Sequence, residues 1–300
     1  MNTAVIIVTY NRIALLKECI QCVLNQVNEC LELYVINNAS TDGTKDYLEA
    51  LQDKQDRVHV LHLNSNEGGA GGFSAGLKYA YENSSCDNYL LIDDDAMLRP
   101  DYLFNIDKKR DRNKYLAFSG SVYVDNTVDT SHRFTFNDGR IEKNEYYKES
   151  FMCDIATFCG LLVTKELVEK IKFPRSDFFI WNDDTEYCYR ISKYSQIQNI
   201  TSAVLDHKTF MTKELSKNLR DSWKEYYGMR NSLVIFKNNH LRKKLISKSV
   251  KMIGKAAELY ILAILDNKNR SSYKYNARLR IDAFVDGTHE RMGKNLKYLP

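Results

Sequence analysis

Four short apolar runs, each separated from the next by a stretch of helical periodicity, constrain the first ninety residues more than any other feature. Ala4–Val8, Leu33–Ile36, Val58–Leu63 and Tyr89–Ile92 are short and continuous, as strands buried on both faces are. Between them, Arg12–Gln26 and Gly71 to about Asn83 carry apolar residues at helical spacing. Ser40-Thr41-Asp42-Gly43 reads as the cap of a helix running to about Leu51. Such alternation predicts an α/β fold, a Rossmann-like and mostly parallel sheet with flanking helices. Ligands of such sheets bind beyond the carboxyl ends of the strands. Thr9-Tyr10-Asn11-Arg12, Asn37-Asn38-Ala39-Ser40 and Asp93-Asp94-Asp95 all fall at those ends, so they are expected to share one crevice.

The rest of the chain is less regular. Strands are expected near Leu116–Val124 and Phe151–Val163, a helix at Lys165–Ile171, and a mainly helical region over 214–300. The chain thus divides into 1–97, 98–213 and 214–300. Charge follows the last division: residues 240–300 hold 14 Lys/Arg against 5 Asp/Glu, while the remainder holds 29 against 34. This basic tail has no recognisable nucleic-acid recognition motif and follows an acidic body, so a nucleic-acid binder is discounted. The seven cysteines are an odd number and no secretory leader precedes Val5, which points to a reducing cytosol. Cys19 and Cys22 form a C-x-x-C inside a helical pattern with no second pair, so core packing is preferred to zinc or redox chemistry.

The chemistry is concentrated in three segments. Asp93-Asp94-Asp95 directly follows a buried strand, where alternation aims Asp93 and Asp95 to one side and Asp94 to the other. Three adjacent carboxylates repel one another, and a Mg²⁺ or Mn²⁺ ion completed by a diphosphate would relieve this; a solvated acidic turn is the plain alternative. Asn66-Glu67-Gly68-Gly69-Ala70-Gly71-Gly72-Phe73 has four glycines in five residues, which lets a ligand approach the backbone where a helix offers free N–H groups. It is neither a P-loop nor a dinucleotide fingerprint, and a flexible linker is its bland reading. Trp181-Asn182-Asp183-Asp184-Thr185-Glu186-Tyr187 sets two carboxylates behind an aromatic face on which a sugar could stack. Apolar surroundings suit a carboxylate to general-base work, although simple helix capping accounts for the pair equally well. His207, at the end of another apolar run, is a candidate third ligand for a hard cation; His59, His62, His132, His240 and His289 lack such a context.

With these residues in view, the chain resembles the inverting nucleotide-sugar glycosyltransferases of the GT-A fold, family 2, over about residues 3–210. The Val8–Arg12 start, the segment Asn38–Thr44 and the aspartate triad are similar to the whole family. Asn66–Phe73 and Trp181–Tyr187 look most like the galactofuranosyltransferases of bacterial surface polysaccharide synthesis. The resemblance implies a nucleotide-sugar-binding half over 1–97, an acceptor-binding and catalytic half over 98–213, and a basic helical region over 214–300. It implies a metal, Mn²⁺ or Mg²⁺, on Asp93, Asp95 and His207, and Asp184 as catalytic base. Asp183 and Trp181 would hold the acceptor, a glycan or lipid-linked glycan. Thr9, Arg12, Asn38 and Asp94 would serve the donor with Gly68, Gly69, Gly71 and Gly72. The donor implied is UDP-galactofuranose, transferred by one in-line displacement. Two departures bear on it: Asn37-Asn38 stands where many members carry an aspartate, and glycines stand where many carry Arg and Asn.

A dTDP-rhamnose-dependent rhamnosyltransferase is the rival within the enzyme class, and an inactive sugar-binding scaffold the rival outside it. In the tail, Lys244, Lys248, Lys251 and Lys255 line one helical face, and residues 256–265 are too short and too charged to span a bilayer. A helix over 241–265 on the inner face of the bacterial plasma membrane is expected; packing on the enzyme body or in a homo-oligomer is the alternative.

Overall fold

A computed structural model describes residues 1–27, 31–137, 139–208 and 223–299. The chain divides into two compact units, Met1–Ser176 with Asp184–Thr209, and Asp177–Asp183 with Phe210–Pro300.

The first unit begins with β1 (Thr3–Thr9), α1 (Ile13–Leu24), β2 (Leu31–Asn37), α2 (Thr44–Gln52), β3 (Val58–His62), α3 (Gly68–Asn83) and β4 (Asn88–Asp93). β1 lies between β2 and β4, parallel to both, and β3 extends the parallel sheet beyond β2. Every residue of β1 is buried because its two faces serve two cores. Ala4, Ile6 and Val8 pack with α3, while Val5 and Ile7 join Leu16, Cys19 and Ile20 of α1 on the other side. Cys19 is therefore a core residue, as expected, and the described cysteines are free.

After β4 come β5 (Ala96–Leu98), α4 (Tyr102–Lys109), β6 (Ala117–Val124), β7 (Thr127–Val128) and β8 (Arg133–Phe134). β9 (Ser150–Cys153), β10 (Ile155–Ala156), β11 (Leu161–Thr164), α5 (Lys165–Ile171), α6 (Asp183–Ile191) and β12 (Ile197–His207) complete the unit. The main sheet runs β3-β2-β1-β4-β11-β6-β12-β5. It is mostly parallel, with antiparallel β11 inserted between β4 and β6. The single strand expected over Phe151–Val163 is thus three, each with a different partner: β9 with β12, β10 with β8, and β11 with β4 and β6. Two interruptions explain the split. Asp154 turns its carboxylate to the Phe136 N–H at 2.8 Å, and Gly160 takes φ +91°, where its neighbour Tyr102 leaves no room for a Cβ.

The second unit is helical: α7 (Trp223–Asn238), α8 (Arg242–Leu265) and α9 (Arg270–Thr288). Residues 214–222 of the stretch expected to be helical lie outside the described residues, as does residue 213. Tyr226, Tyr227 and Leu233 of α7, Met252 of α8 and Leu279 and Ala283 of α9 form its core with Phe179 and Tyr298. On α8, Met252, Ala256, Leu259 and Ala263 are buried. The expected lysine face is only half free: Lys251 and Lys255 are exposed, but Lys244 and Lys248 are partly covered. Burial, with the charge of Lys251 beside it, holds the Lys248 ammonium below its ordinary pKa.

Candidate active site

Strand register brings the predicted segments together. Thr9 pairs with Asn37 across β1 and β2, and Val8 pairs with Asp93 across β1 and β4, so three strand ends meet in one row. Thr9 Oγ1 donates to Asp94 Oδ2 at 2.7 Å. Arg12 Nη1 donates to Asp94 Oδ1 at 3.1 Å and to Asp95 Oδ2 at 2.7 Å. Asp94 and Asp95 therefore both face Arg12, contrary to strict alternation, because the strand ends at Asp93 and the next two residues turn.

His207 reaches the cluster by a separate route. The turn after Asp93 leads straight into β5, whose Ala96 pairs with His207 in the antiparallel ladder with β12. His207 Nε2 consequently lies 3.2 Å from Asp95 Oδ1, and Lys208 N–H donates to the Asp95 carbonyl at 2.9 Å. Asp93, Cys159 and His207 each place a ligand atom within 4.8 Å of the others. Burial, then the charge of Asp95, raises the Asp93 carboxyl to about 7. Burial likewise raises Asp94 to about 6 against the opposing pull of Thr9 and Arg12. For Asp95 the same desolvation is outweighed by His207 and Arg12, so it is held below the ordinary carboxylate range. His207 is pulled down by burial but more strongly up by Asp95 and Asp93, so it favours the imidazolium.

This donor set fits a hard divalent cation. Asp95 Oδ1 makes only the ion-pair approach to His207, and the buried His207 Nδ1 has no hydrogen bond. Burial and the charge of Asp93 keep Cys159 well above the usual thiol range, so it remains a protonated, soft group beside oxygen and imidazole ligands. Cys159 is not marked by any pattern in the sequence; the chain places it there through β11. His132, set aside on sequence, also belongs here: its ring stands edge-on to His207 at 5.0 Å and its Nδ1 is 2.8 Å from Thr157 Oγ1. Burial, with the charges of Arg133 and His207, lowers it to about 3, so it is neutral. Arg133 itself is fully buried, donating to the carbonyls of Gly120 at 2.7 Å, His132 at 2.8 Å and Cys159 at 3.2 Å.

The glycine-rich segment is the first turn and a half of α3 rather than a loop before it. Asn38 braces it from a buried position: its Nδ2 donates to Asn66 Oδ1 and the Gly68 carbonyl, and its Oδ1 accepts from Glu67 N–H at 2.9 Å. Asn37 is similarly engaged, with His62 and with Ser40 N–H. The glycines differ in role. A Cβ on Gly72 would sit 2.4 Å from Val8 Cγ1, so this glycine lets the helix close onto β1; one on Gly71 would sit 2.5 Å from Glu67 Cβ. Gly69 has nothing within 4 Å of a Cβ, and Gly68 holds φ +71°.

Asp184 opens α6 as expected. Its Oδ1 accepts from the N–H of the next residue, Thr185, at 2.5 Å and from Thr185 Oγ1 at 3.1 Å. Burial nevertheless raises its pKa, against the opposing effects of Thr185 and Arg133.

Trp181 and Asp183 belong to the second unit, where Trp181 is 47% exposed and Asp183 buried. Phe179, Trp181 and Asn182 all have positive φ, between 63° and 65°. Backbone strain of this kind persists only where the surroundings impose it. Here Asn231 Nδ2 donates to the carbonyls of Phe178, Ile180 and Trp181, and Asn182 Nδ2 to that of Gly228. Arg230 adds bonds to the carbonyls of Phe178 at 3.0 Å and Gly293 at 2.6 Å. Neither Arg230 nor Asn231 stands out in the sequence.

Comparison with known proteins gives the family and the fold. The chain is 23% identical over 253 residues to a dTDP-rhamnosyl transferase (RfbF) of Shigella flexneri, covering 80% of this chain and 81% of the relative. It is 22% identical over 269 residues to the galactofuranosyltransferase GlfT2 of Mycolicibacterium smegmatis, covering 78% of this chain and 40% of that protein. In fold it is similar to the mannosyltransferase PcManGT of Pyrobaculum calidifontis, solved with GDP-Man and Mn²⁺. That likeness has a TM-score of 0.58 at 17% identity, over 97% of this chain and 88% of the other. The sequence signature described as Glycosyl transferase family 2 matches residues 4–171, more than half of the chain. The protein belongs to glycosyltransferase family 2 and is a transferase with a GT-A-like fold.

Proposed function

We propose that this chain transfers a sugar from a nucleotide-sugar donor to a glycan or lipid-linked glycan, with inversion at the anomeric carbon. The observation that carries this reading is the gathering of Asp93, Asp94, Asp95, Thr9, Arg12 and His207 at the carboxyl ends of the parallel strands. Asp93, Asp95 and His207 are the residues to hold Mn²⁺ or Mg²⁺, which when bound supplies charge neutralisation for a departing diphosphate. Arg12, half-exposed beside the acids, orients Asp94 and Asp95 and keeps a positive charge at the mouth of the crevice. Gly69, with open space around it, is where the donor approaches the backbone of α3. Asp184 accepts the proton of the attacking hydroxyl, its raised pKa making it a better base than an ordinary carboxylate. Trp181 offers its exposed face to an acceptor sugar, and Asp183 serves beside it.

The donor proposed is UDP-galactofuranose, on the strength of the Asn66–Phe73 and Trp181–Tyr187 segments. A second reading, dTDP-rhamnose, is favoured by the rhamnosyl transferase relative, which this chain matches over most of both lengths. A donor panel tests both: the purified chain with Mn²⁺ is given UDP-galactofuranose, dTDP-rhamnose, UDP-N-acetylglucosamine or GDP-mannose, and nucleoside diphosphate release is measured. Release from UDP-galactofuranose above all others is expected. Preference for dTDP-rhamnose would install the second reading, and no release from any donor would favour an inactive scaffold.

A further inference from the structure

We propose that Asp93, Cys159 and His207 form a zinc site that overlaps the site of the hard ion and excludes that ion when filled. It rests on the proposed function in one respect, that Asp93 and His207 face a metal; Cys159 has no part in that function. Strand geometry sets the three together. Leu161 of β11 pairs with Leu91 of β4, so the same antiparallel register carried two residues further sets Cys159 opposite Asp93. The turn is pinned there: Gly160 N–H donates to the Leu91 carbonyl at 3.1 Å, and Arg133 Nη2 to the Cys159 carbonyl at 3.2 Å. From the other side, β12 delivers His207 opposite Ala96, and its Nδ1 is buried without a hydrogen bond. Each of the three residues offers a ligand atom within 4.8 Å of the other two, and no other such group is found among the described residues. The ligand atoms of a tetrahedral zinc ion lie about 3.3–3.8 Å apart, given bonds of about 2.0–2.3 Å, so a small closure of the side chains seats the ion. Asp93 and His207 are half-buried, so an ion can reach them, and the buried Cys159 completes the set from within.

Ligand type selects the ion. Asp93, Asp95 and His207 offer two oxygens and a nitrogen, which suit Mn²⁺ or Mg²⁺. Exchanging Asp95 for Cys159 gives oxygen, nitrogen and sulfur, and thiolate ligation favours Zn²⁺. Zn²⁺ also stands above Mn²⁺ in the general order of affinity for such ligands. The thiol releases its proton to solvent as the zinc–sulfur bond forms, since a coordinating thiol is deprotonated outright. The charges then balance: Asp93 and the thiolate neutralise the ion, and Asp95 keeps its pair with Arg12 at 2.7 Å. Because Asp93 and His207 serve both sets, the two ions cannot be bound together. Zinc is thereby an antagonist of the hard ion at the donor site.

Cobalt stands in for zinc in the test, because a cobalt–thiolate bond has a sulfur-to-metal charge-transfer band in the near ultraviolet. The full chain titrated with Co²⁺ should show that band, and added Zn²⁺ should discharge it. Mn²⁺ bound to the chain, followed by paramagnetic resonance, should be released by Zn²⁺. Cys159→Ser and Cys159→Ala should lose the band and bind Zn²⁺ about a hundredfold or more weaker, while holding Mn²⁺ as wild type does. The alanine form puts no hydroxyl in that buried place, so it carries the test if the serine form is unstable. Asp95→Asn should weaken Mn²⁺ far more than Zn²⁺. Cys22→Ser, in the C-x-x-C pair, should leave the band intact. No band in wild type, a band that survives the loss of Cys159, or Mn²⁺ and Zn²⁺ bound together would overturn the proposal. If wild type holds no Mn²⁺ at all, the hard-ion assignment fails instead, and the cobalt band still decides on Cys159.

Discussion

The side-chain amide of Asn231 lies 2.7 Å from the main-chain carbonyl of Trp181 and donates to it from a fully buried position. The same Nδ2 also serves the carbonyls of Phe178 and Ile180, each at 3.1 Å. One amide thus fixes the short segment whose three positive-φ residues set the direction of the Trp181 ring. Asn231→Leu keeps the volume and removes the donor, leaving buried carbonyls unsatisfied at a cost of about 1–3 kcal/mol. Urea unfolding should show that loss. In a Trp223→Phe background, Trp181 emission should shift towards that of a mobile indole. An unchanged midpoint and spectrum would show that the segment holds itself.

Gly72 and Gly69 separate packing from ligand access. Gly72→Ala places a methyl 2.4 Å from Val8 Cγ1, so α3 must lift from β1; overpacking of this kind costs about 1–3 kcal/mol, visible in chemical denaturation. Gly69→Ala meets nothing within 4 Å and restricts the unfolded chain, so it should be neutral or stabilise by up to about 1 kcal/mol. If the donor lies against α3, Gly69→Ala should still weaken nucleotide-sugar binding in calorimetry. Equal donor affinity in both forms would move the donor elsewhere.

Asp184→Asn tests the base. The asparagine can still accept from Thr185, so the start of α6 should survive while turnover falls by about 10²–10⁴. The pKa of Asp184 is raised by burial, so in wild type activity should fall as pH drops through that raised value. For stability the sign is opposite. The unfolded carboxyl ionises first as pH rises, so the folded state loses stability between the unfolded and the folded pKa. Asp184→Asn should therefore be at least as stable as wild type at neutral pH. Full activity in Asp184→Asn with loss in Asp183→Asn would reverse the assignment.

The acidic cluster is tested by metal removal. Excess chelator should abolish nucleoside diphosphate release, and added Mn²⁺ should restore it. Asp95→Ala also deprives His207 and Arg12 of a partner, and should weaken Mn²⁺-dependent UDP binding by at least about tenfold. Undiminished turnover in chelator would remove the metal from the proposal.

The sequence alone determined the parallel half of the sheet, because a strand buried on both faces must be continuously apolar and a helix between strands must keep its period. It also placed Thr9, Asn37 and Asp93 at one edge, since parallel strands end on the same side. The start of α6 at the Asp183-Asp184 pair was legible in the same way, from the helical pattern that follows it. Distance along the chain hid the rest. Asp95 and His207 meet only because β5 and β12 pair antiparallel with Ala96 opposite His207. Cys159 and His132 join them through turns and short strands that leave no periodic trace. Arg230 and Asn231 look like ordinary polar residues of a helix, and only the packing of α7 shows Arg230 Nε donating to Asn231 Oδ1 and their other side-chain nitrogens donating to main-chain carbonyls. On α8 the spacing of lysines and isoleucines was written in the sequence, but which side faces outward was not. Local periodicity says which residues share a face; the neighbours packed around a helix decide which face is covered.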